Sequence, residues 1–433
     1  MTQKQALDIL RTGNNVYLTG SAGSGKTYVL SQYLLYLKQQ GVKVGVTAST
    51  GVASTQLSGM TIHAWSGLGA RESINDHDIA ELVKRRYLIK RYEKTQVLII
   101  DEVSMLSSKT LEGIDALCRA FKNSSLPFGG MQIVLCGDFF QLPPVSNSSN
   151  DFIYESKLWE ELDLKICYLE KSYRQNDERF IKLLTDIRES NVTAKTWDTL
   201  RERFVDQITP GMTPTRLFTH NFQADLINTR ELSKLKGEEY IYELESEGNP
   251  TLTEVIKKNS LLVERLVLKE RALVMFIKNS LELGYVNGTM GRIIGFSHDN
   301  YPLVETFEGR ELTVRPSEWI IDDEVGERAS VKQLPLRLAW AITIHKSQGM
   351  TLDAAEIDLG RTFVEGMGYV ALSRVRSLNG LRLTSINSTA LKVNEDVTQF
   401  DRELRFASQQ VVIELRDAKW NKDNSGRLSH TVA

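Results

Sequence analysis

Short apolar runs alternate with a helical pattern along the first third of the chain. The runs lie at 14–20, 42–49, 95–102 and 132–138. Continuous apolar runs of this length are typical of parallel strands that are covered on both faces. Between the first two runs, apolar residues recur at helical spacing and predict a helix over 27–40. Strands and helices that alternate in this way predict a doubly wound α/β fold.

The pattern changes further along the chain. Residues 66–94 combine a loop-like stretch with a basic helix, which predicts a small subdomain inserted between two core strands. Five or six short β-like runs, separated by turns, predict a small β-barrel over 270–333. The α/β pattern returns at 336–349. We expect a helix over 397–419 and a polar tail over 420–433.

Length and composition are those of an ordinary multidomain globular protein. The 433 residues correspond to about three domains at roughly 150 residues each. A hydrophobic fraction of 41% and a charged fraction of 25% exclude wholesale disorder, collagen and coiled coil. No run approaches the ~18 apolar residues of a membrane span, and the first residues lack a signal-peptide pattern.

Charge and cysteine content limit the setting and the partners. The three cysteines fit neither a disulfide framework nor a Cys-x-x-Cys metal pair, which predicts a reducing, cytoplasmic setting. The net charge of −2 gives no global attraction to nucleic acid. A nucleic-acid partner must therefore be argued from local sites.

The stretch GSAGSGKT at 20–27 follows a predicted strand and opens a predicted helix. This is the full P-loop pattern in its required context, and a chance Gly/Ser turn does not explain those flanks. Backbone N–H groups and the helix N-terminus can bind phosphate. Lys26 can reach the β- and γ-phosphates of a nucleotide, and the hydroxyl of Thr27 can ligate Mg²⁺.

Two further predicted strands end in polar residues at the same sheet edge. Asp101 and Glu102 end one strand; Asp101 would belong to the Mg²⁺ shell, and Glu102 would orient or deprotonate the attacking water. Gln141 follows the next strand and is placed to sense the γ-phosphate. Ligands of open α/β sheets bind beyond the carboxyl ends of the strands, so the three motifs agree. A solvated acidic strand end and a polar turn residue remain the alternatives.

Eight motifs follow one another along the chain: GSAGSGKT, TASTGVAS, TIHAWSGLG, IIDEVSML, GDFFQLPPV, LEKSYRQ, AITIHKSQGMTLD and YVALSRVRS. In this order they resemble the motifs of superfamily one helicases of the RecD-like subgroup, and most closely those of the petite-integration-frequency (PIF) DNA helicases. The segment 111–145 resembles that family's own signature between its second and third motifs. The resemblance covers about residues 3–380.

The resemblance implies roles for residues around ATP and Mg²⁺. It implies Gln3 for the adenine base, with Gln5 as the alternative register; Gly23, Ser24, Gly25, Lys26 and Thr27 for phosphate and Mg²⁺; Asp101 and Glu102 for metal and water; Gln141, Arg174 and Arg374 for the γ-phosphate; and Gly349 for the link between nucleotide and DNA.

The resemblance also implies contacts to the DNA backbone, through Thr50, Gly51, Thr61 and His63 in the first half and through His220, Asn221, Thr343, His345 and Lys346 in the second. Hydroxyl, amide and basic groups suit phosphate contact without base readout.

Several of these residues have simpler interpretations. His63 could be a packed core histidine, and His345 and Lys346 could belong to a solvated loop. The basic run at 84–94 fits either a solvated helix face or phosphate contact. Three aromatic residues could stack on bases or belong to the core: Trp65, Phe139 and Phe140.

The fold that the resemblance implies is α/β, with two RecA-like P-loop domains. The expected boundaries are 1–170 for the first domain, with a small inserted wedge subdomain at about 66–94; 171–269 and 334–396 for the second domain; 270–333 for an inserted SH3-like β-barrel; and 397–433 for a C-terminal helix and polar tail.

The activity that the resemblance implies is an ATP- and Mg²⁺-dependent DNA helicase that moves 5′-to-3′ on single-stranded DNA. Its expected partners are single-stranded, forked or structured DNA, including R-loops and G-quadruplexes, and it is expected to be a monomer. The alternatives are a DNA-stimulated ATPase translocase without strand separation, a non-catalytic DNA clamp and an RNA helicase. Repair, recombination and telomere maintenance are the family's associated processes, but no residue indicates a pathway.

Overall fold

The computed structural model describes residues 1–57, 59–69, 71, 73–144, 151–204, 214–259, 261–278, 280, 282–285, 287–322 and 328–428. The α-helices are α1 Gln3–Leu10, α2 Lys26–Gln39, α3 Gly51–Gln56, α4 Ile62–Ser66, α5 Asp76–Leu82, α6 Arg86–Lys94, α7 Ser108–Lys122, α8 Lys157–Glu161, α9 Glu178–Arg188, α10 Ala194–Arg201, α11 Asn221–Lys234, α12 Pro250–Asn259, α13 Met367–Leu372 and α14 Glu395–Leu428.

The strands are β1 Val16–Gly20, β2 Val44–Ala48, β3 Met60–Thr61, β4 Val97–Asp101, β5 Gln132–Cys136, β6 Lys165–Leu169, β7 Thr215–Phe218, β8 Tyr240–Glu243, β9 Glu245–Gly248, β10 Arg265–Leu268, β11 Leu273–Phe276, β12 Met290–Phe296, β13 Pro302–Thr306, β14 Glu311–Thr313, β15 Ser317–Asp322, β16 Arg328–Gln333, β17 Leu336–Leu338, β18 Ala341–Thr343, β19 Ala355–Leu359 and β20 Leu381–Ile386.

The first sheet consists of six parallel strands in the order β3-β2-β4-β5-β1-β6. The four apolar runs of the first third form β1, β2, β4 and β5, and every residue of β1 and β4 is buried. This burial explains why the runs are continuously apolar rather than alternating. The carboxyl ends of the strands meet at one edge, where the three predicted nucleotide motifs follow β1, β4 and β5.

The second parallel sheet has the order β18-β7-β19-β20. Its strands come from both sides of a long antiparallel region. Two parallel sheets with helices between their strands confirm the predicted α/β fold.

The antiparallel region is wider than predicted. The β-like runs of 270–333 form β11 to β16, as expected, but β8, β9 and β10 precede them and pair within the same region. The return to α/β structure was expected at residue 336, and this is wrong by a few residues. Because β17 (336–338) pairs antiparallel with β11, parallel structure resumes only at β18.

The segment at 66–94 packs on α7. Tyr92 of α6 is buried and stacks on Phe121 of α7, with ring centroids 4.2 Å apart. Arg91 is also buried, and its Nη1 donates to the backbone oxygens of Ala64 (3.2 Å) and Trp65 (2.7 Å). Arg91 therefore belongs neither to a solvated helix face nor to a phosphate contact. Its hydrogen bonds connect α6 to the end of α4.

The C-terminal helix returns to the first sheet. It was predicted over 397–419, but α14 continues to Leu428 instead of giving way to a tail at 420; residues 429–433 lie outside the described part of the chain. The backbone N–H of Tyr168 in β6 donates to Oγ of Ser408 (3.1 Å), and the Tyr168 hydroxyl donates to Asp401 (3.0 Å). Over the described residues, every helix is too short or too polar to span a membrane.

Candidate nucleotide site and nucleic-acid face

The predicted P-loop at 20–27 connects β1 to α2. Gly23 and Gly25 have φ angles of +81° and +86°, in the left-handed region that favours glycine. A Cβ on Gly23 would lie 2.5 Å from the Cβ of Arg174, and a Cβ on Gly25 would lie 2.1 Å from Nε2 of Gln3. These glycines therefore allow the close backbone approach that phosphate binding by N–H groups requires.

The side chains of the loop carry groups that fit phosphate. Nζ of Lys26 donates to the backbone oxygens of Gly20 (2.8 Å) and Ser21 (3.2 Å). Oγ of Ser24 is buried, and it has no hydrogen-bond partner among the described residues. Because a buried polar atom without a partner is costly, this hydroxyl fits an oxygen-bearing ligand.

The two acidic residues lie where β4 ends. Asp101 is buried, and its Oδ1 accepts a hydrogen bond from the N–H of Glu102 (2.8 Å). Glu102 has a φ of +53°, which is unusual for a residue with a side chain, and its Oε2 accepts from Nε2 of Gln348 (3.0 Å). Burial raises the pKa of Asp101, and burial together with the charge of Asp101 raises the pKa of Glu102 to about 7.

Because the pKa values of Asp101 and Glu102 are raised, a cation bound beside them would stabilise their charged forms. Two neighbouring carboxylates removed from water resist ionisation unless a positive charge lies beside them. The carboxylate of Asp101 and the hydroxyl of Thr27 are hard oxygen donors of the kind that Mg²⁺ prefers. The donor set therefore fits a magnesium ion that also binds phosphate oxygens.

Gln141 lies beside a buried ionic network that Asp138, Arg188 and Asp401 form. Its Oε1 is buried without a hydrogen-bond partner in the described part of the chain, while its Nε2 lies 3.4 Å from Oδ2 of Asp138. Nη2 of Arg188 donates to Oδ1 of Asp138 (3.0 Å) and to Oδ1 of Asp401 on α14 (3.2 Å). No role was predicted for Asp138, Arg188 or Asp401, because the spacing of these three residues along the chain follows no local pattern.

Two arginines face this edge from outside the first sheet: Arg174 follows β6, and Arg374 follows α13. Arg374 is 1% exposed; its Nε donates to the oxygen of Val370 (2.8 Å) and its Nη2 to Oγ of Ser373 (2.7 Å). Nη1 of Arg174 donates to the oxygen of Ser373 (2.9 Å). Burial lowers the pKa of both guanidinium groups, to about 9 for Arg174, where the charge of Arg374 adds to the effect. An anion between the two arginines would relieve that repulsion.

A cavity of about 450 Å³ brings the predicted nucleotide residues together. Its lining includes Gly23, Gly25, Lys26, Thr27, Glu102, Gln141, Arg174, Gly349 and Arg374. The two halves already touch beside it, since the N–H of Ala22 donates to the hydroxyl of Tyr369 (3.1 Å). Residues 287–290, 307 and 308 of the antiparallel region also line the cavity, and no nucleotide contact was predicted for them.

The structure favours Gln3 over Gln5 beside the P-loop. Nε2 of Gln3 donates to the oxygen of Ser24 (3.1 Å), whereas the side chain of Gln5 forms a capping box with Thr2 at the start of α1. The capping role occupies the amide of Gln5 and leaves Gln3 as the glutamine in direct contact with the loop.

The four candidate DNA contacts of the first half follow β2 and β3, which are parallel neighbours. Oγ1 of Thr50 accepts from the N–H of Ala53 (3.3 Å), and Oγ1 of Thr61 accepts from the N–H of Ala64 (3.3 Å). Both hydroxyls thus cap the first turns of helices, with Gly51 opening α3. His63 is half-buried in α4, and burial lowers the pKa of its imidazole.

The five candidate DNA contacts of the second half lie together after β7 and β18, which are also parallel neighbours. Oγ1 of Thr343 lies 3.5 Å from Oδ1 of Asn221 and accepts from the N–H of Lys346 at 3.4 Å. His220 is exposed. The burial of His345 and the nearby charge of His220 lower the pKa of His345. Burial also lowers the pKa of Lys346.

The three aromatic residues considered for base stacking belong to the core. Trp65 is 3% exposed and packs on Tyr92, with ring centroids 4.8 Å apart. Phe139 and Phe140 are equally inaccessible. Stacking on a base requires an exposed ring face, so the core interpretation is correct for all three.

The two parallel sheets and the P-loop geometry define a P-loop protein with RecA-like domains. The family model described as PIF1-like helicase matches residues 2–198. The chain is 42% identical to the ATP-dependent DNA helicase Pif1 of Psychrobacter sp., over 91% of this chain and 69% of the relative. The chain therefore belongs to the PIF1-like helicase family.

Solved structures of the same family have the same fold. Bacteroides sp. Pif1 in complex with ADP-AlF4 matches with a TM-score of 0.81 and 31% identity, over 93% of this chain and 96% of the other. Bacteroides Pif1 in complex with ADP-AlF3 and single-stranded DNA matches with a TM-score of 0.66 and 30% identity, over 93% and 96%.

Proposed function

We propose that the protein is an ATP-dependent DNA helicase that moves along single-stranded DNA and separates duplex ahead of it. The observation that carries this proposal is a cavity that brings together a P-loop, an acidic strand end, Gln141, Arg174 and Arg374. The relatives named as ATP-dependent DNA helicases support the same activity.

ATP would bind with its phosphates on the loop that ends in Lys26 and Thr27. Mg²⁺ held by Thr27 and Asp101 would neutralise charge on the β- and γ-phosphate oxygens. The carboxylate of Glu102 would orient or deprotonate the attacking water, and Gln141 would contact the water or the γ-phosphate. Arg174 and Arg374 would stabilise the charge that is redistributed during phosphoryl transfer.

The coupling to movement follows from where the arginines come from. Both belong to the proposed second RecA-like domain, which begins at residue 171. Their attraction to the γ-phosphate would therefore favour the closed arrangement of the two domains, and its loss on hydrolysis would favour the open one. Single-stranded DNA would lie across the carboxyl edges of both sheets, over the contacts from Thr50 to His63 and from His220 to Lys346. Alternating grip at these two places would move the protein, 5′-to-3′ in keeping with the family.

We also propose the domain layout implied by the motifs. The first RecA-like domain would comprise 1–170 with a wedge subdomain at 66–94, and the second 171–269 and 334–396. The antiparallel strands of 270–333 would form an SH3-like barrel, now expected to include β17 as the partner of β11. We expect a monomer.

Unwinding of 5′-tailed, 3′-tailed and forked duplexes with ATP and Mg²⁺ tests the proposal. We expect displacement of 5′-tailed and forked substrates, dependent on both ATP and Mg²⁺. ATP hydrolysis that single-stranded DNA stimulates, without displacement from any substrate, would instead favour a translocase that does not separate strands. Absence of DNA-stimulated hydrolysis in folded protein would contradict the proposal.

A further inference from the structure

A second cavity, of about 440 Å³, adjoins the phosphate cavity. Tyr173 lines both, and the P-loop contributes Ser24 to the second cavity while Gly23 and Gly25 line the first. Gln3, which donates to the backbone of Ser24, also faces the second cavity. A ligand with phosphates on the P-loop would therefore extend into this space.

The outer wall of the second cavity is supplied by α14. Ser408, Gln409, Val412 and Ile413 all line it. Their i, i+4 spacing places these residues on one side of the helix, so α14 presents a continuous surface to the cavity rather than a single side chain.

The chemistry of the second cavity differs from that of the first. Two large apolar side chains that line it are highly exposed to solvent, Tyr173 at 55% and Ile413 at 50%. Gln3 and Gln409 also line it, together with one acidic and one basic residue, Glu170 and Lys171. Apolar faces with polar groups around them suit a planar heteroaromatic ring, whereas the first cavity, with Lys26, Arg174 and Arg374, suits phosphate.

The position of α14 is fixed independently of any ligand. The N–H of Tyr168 donates to Ser408, and Nζ of Lys165 pairs with Glu414 at 3.3 Å, so the helix is attached to β6 on both sides of Gln409 and Ile413. A wall that is held in place before binding loses little entropy when a ligand docks against it.

We propose that α14 forms one wall of the nucleobase pocket, with Ile413 against the face of the base and the amide of Gln409 at its edge. This inference rests on the proposed function and adds the residues that select the base. The C-terminal helix would then determine nucleotide affinity and base preference, although it lies far from the P-loop in sequence.

Equilibrium binding of ATP, GTP and tripolyphosphate to Ile413→Asp and Gln409→Ala tests the proposal. We expect Ile413→Asp to weaken ATP about tenfold, or about 1.4 kcal/mol, and to leave tripolyphosphate within about twofold. We expect Gln409→Ala to weaken ATP about threefold and to reduce the preference between ATP and GTP.

Matched controls come from the same helix. Phe406→Asp replaces an apolar residue of 64% exposure that does not line the cavity, and Gln410→Ala changes the neighbouring exposed glutamine. Both should bind ATP as the wild type does. Equal ATP affinity of Ile413→Asp and Phe406→Asp would overturn the proposal, as would an equal loss of ATP and tripolyphosphate, which would indicate a disturbed P-loop.

Failure of the proposed function would look different. A wild-type protein that binds ATP but shows no DNA-stimulated hydrolysis would contradict the helicase activity, while the comparison of ATP with tripolyphosphate would still test α14. Melting temperatures of all variants, measured without nucleotide, show whether any loss reflects unfolding.

Discussion

The two walls of the phosphate cavity are built in different ways. On the first sheet, Lys26, Asp101 and Gln141 follow three neighbouring parallel strands, so the fold of one sheet brings them together. On the other side, Arg174 bonds to Ser373 across 199 residues of sequence, and Arg374 is held by Val370 and Ser373. The first wall is thus assembled by one sheet, whereas the second depends on contacts between residues far apart in sequence. Lys26 and both arginines must exchange internal oxygen partners for an anion.

The largest expected effect lies in the first wall. Lys26→Ala should abolish ATP turnover, because Arg174 and Arg374 are expected at the γ-phosphate and would not replace the P-loop charge shared between the β- and γ-phosphates. Phosphate release in the presence of single-stranded DNA measures it, and an unchanged melting temperature shows that the fold is intact. Turnover near the wild-type rate would remove the P-loop from the site.

The buried ionic network of Asp138, Arg188 and Asp401 should be the next most sensitive place. Arg188→Met would leave Asp138 and Asp401 buried without their shared partner, which costs about 3–5 kcal/mol in comparable buried pairs. Urea unfolding measures the loss. Arg405→Met is the matched control, since Arg405 pairs with the same Asp401 at 2.8 Å but is 42% exposed, and it should cost about 1 kcal/mol or less. An equal loss of stability in the two variants would contradict a special role for the buried network.

A smaller effect, on chemistry rather than folding, is expected in the second wall. Arg374→Ala should reduce turnover by at least about 10², since arginine fingers contribute on the order of 10³–10⁵ in rate. ATP affinity should stay within about tenfold, and Arg174→Ala should behave similarly. Single-turnover hydrolysis and nucleotide binding in one preparation separate the two quantities.

Arg376→Ala provides the control for Arg374. Arg376 also lines the cavity, but its side chain is 54% exposed and pairs with Asp353 at 3.1 Å, so its loss should be mild. If Arg374 were only structural, its variant would lose melting temperature while hydrolysis per folded molecule stayed normal. That outcome would remove the contrast between the two walls.

The smallest effect is expected at the nucleic-acid face of the second sheet. Lys346→Ala should weaken single-stranded DNA a few-fold, equally for all sequences, and make the slope of log affinity against log salt shallower by about 0.7. Lys332→Ala, on the antiparallel region, should leave both quantities unchanged. A loss that depends on base sequence would indicate base readout instead of phosphate contact.

The first wall was largely predictable from sequence, and the reason is physical. Strands buried on both faces are continuously apolar, and their polar ends then stand out as single motifs. Residues 336–338 were predicted to belong to the α/β region, because they run directly into the apolar stretch of β18. They form β17, which pairs with β11 of the antiparallel region instead. Asp138 lies in the motif GDFFQLPPV, but its pairing with Arg188 and Asp401 could not be predicted, since an ionic network among three distant elements imposes no spacing on the sequence.

The roles of the hydroxyl groups show a second limit. Thr50 and Thr61 were singled out for phosphate contact, but the structure has both as helix caps. A Ser or Thr before a helix is a common cap, and that pattern in the sequence could have indicated the structural role. Contact with DNA through these residues remains a prediction.

The attachment of α14 to β6 has a consequence for synthesis of the chain. β6 is the edge strand of the first sheet, and an N–H on that edge is bonded by Ser408, which lies 240 residues further along the chain. At roughly 5–20 residues per second, a ribosome needs roughly 12–48 s to cover that distance. During this interval the N-terminal amine of Met1 can bond the oxygen of Tyr168, but the N–H of Tyr168 lacks its partner, and an incompletely covered edge strand is a known starting point for aggregation. Early termination within α14 should therefore yield an aggregating product, even though every nucleotide motif has already been translated.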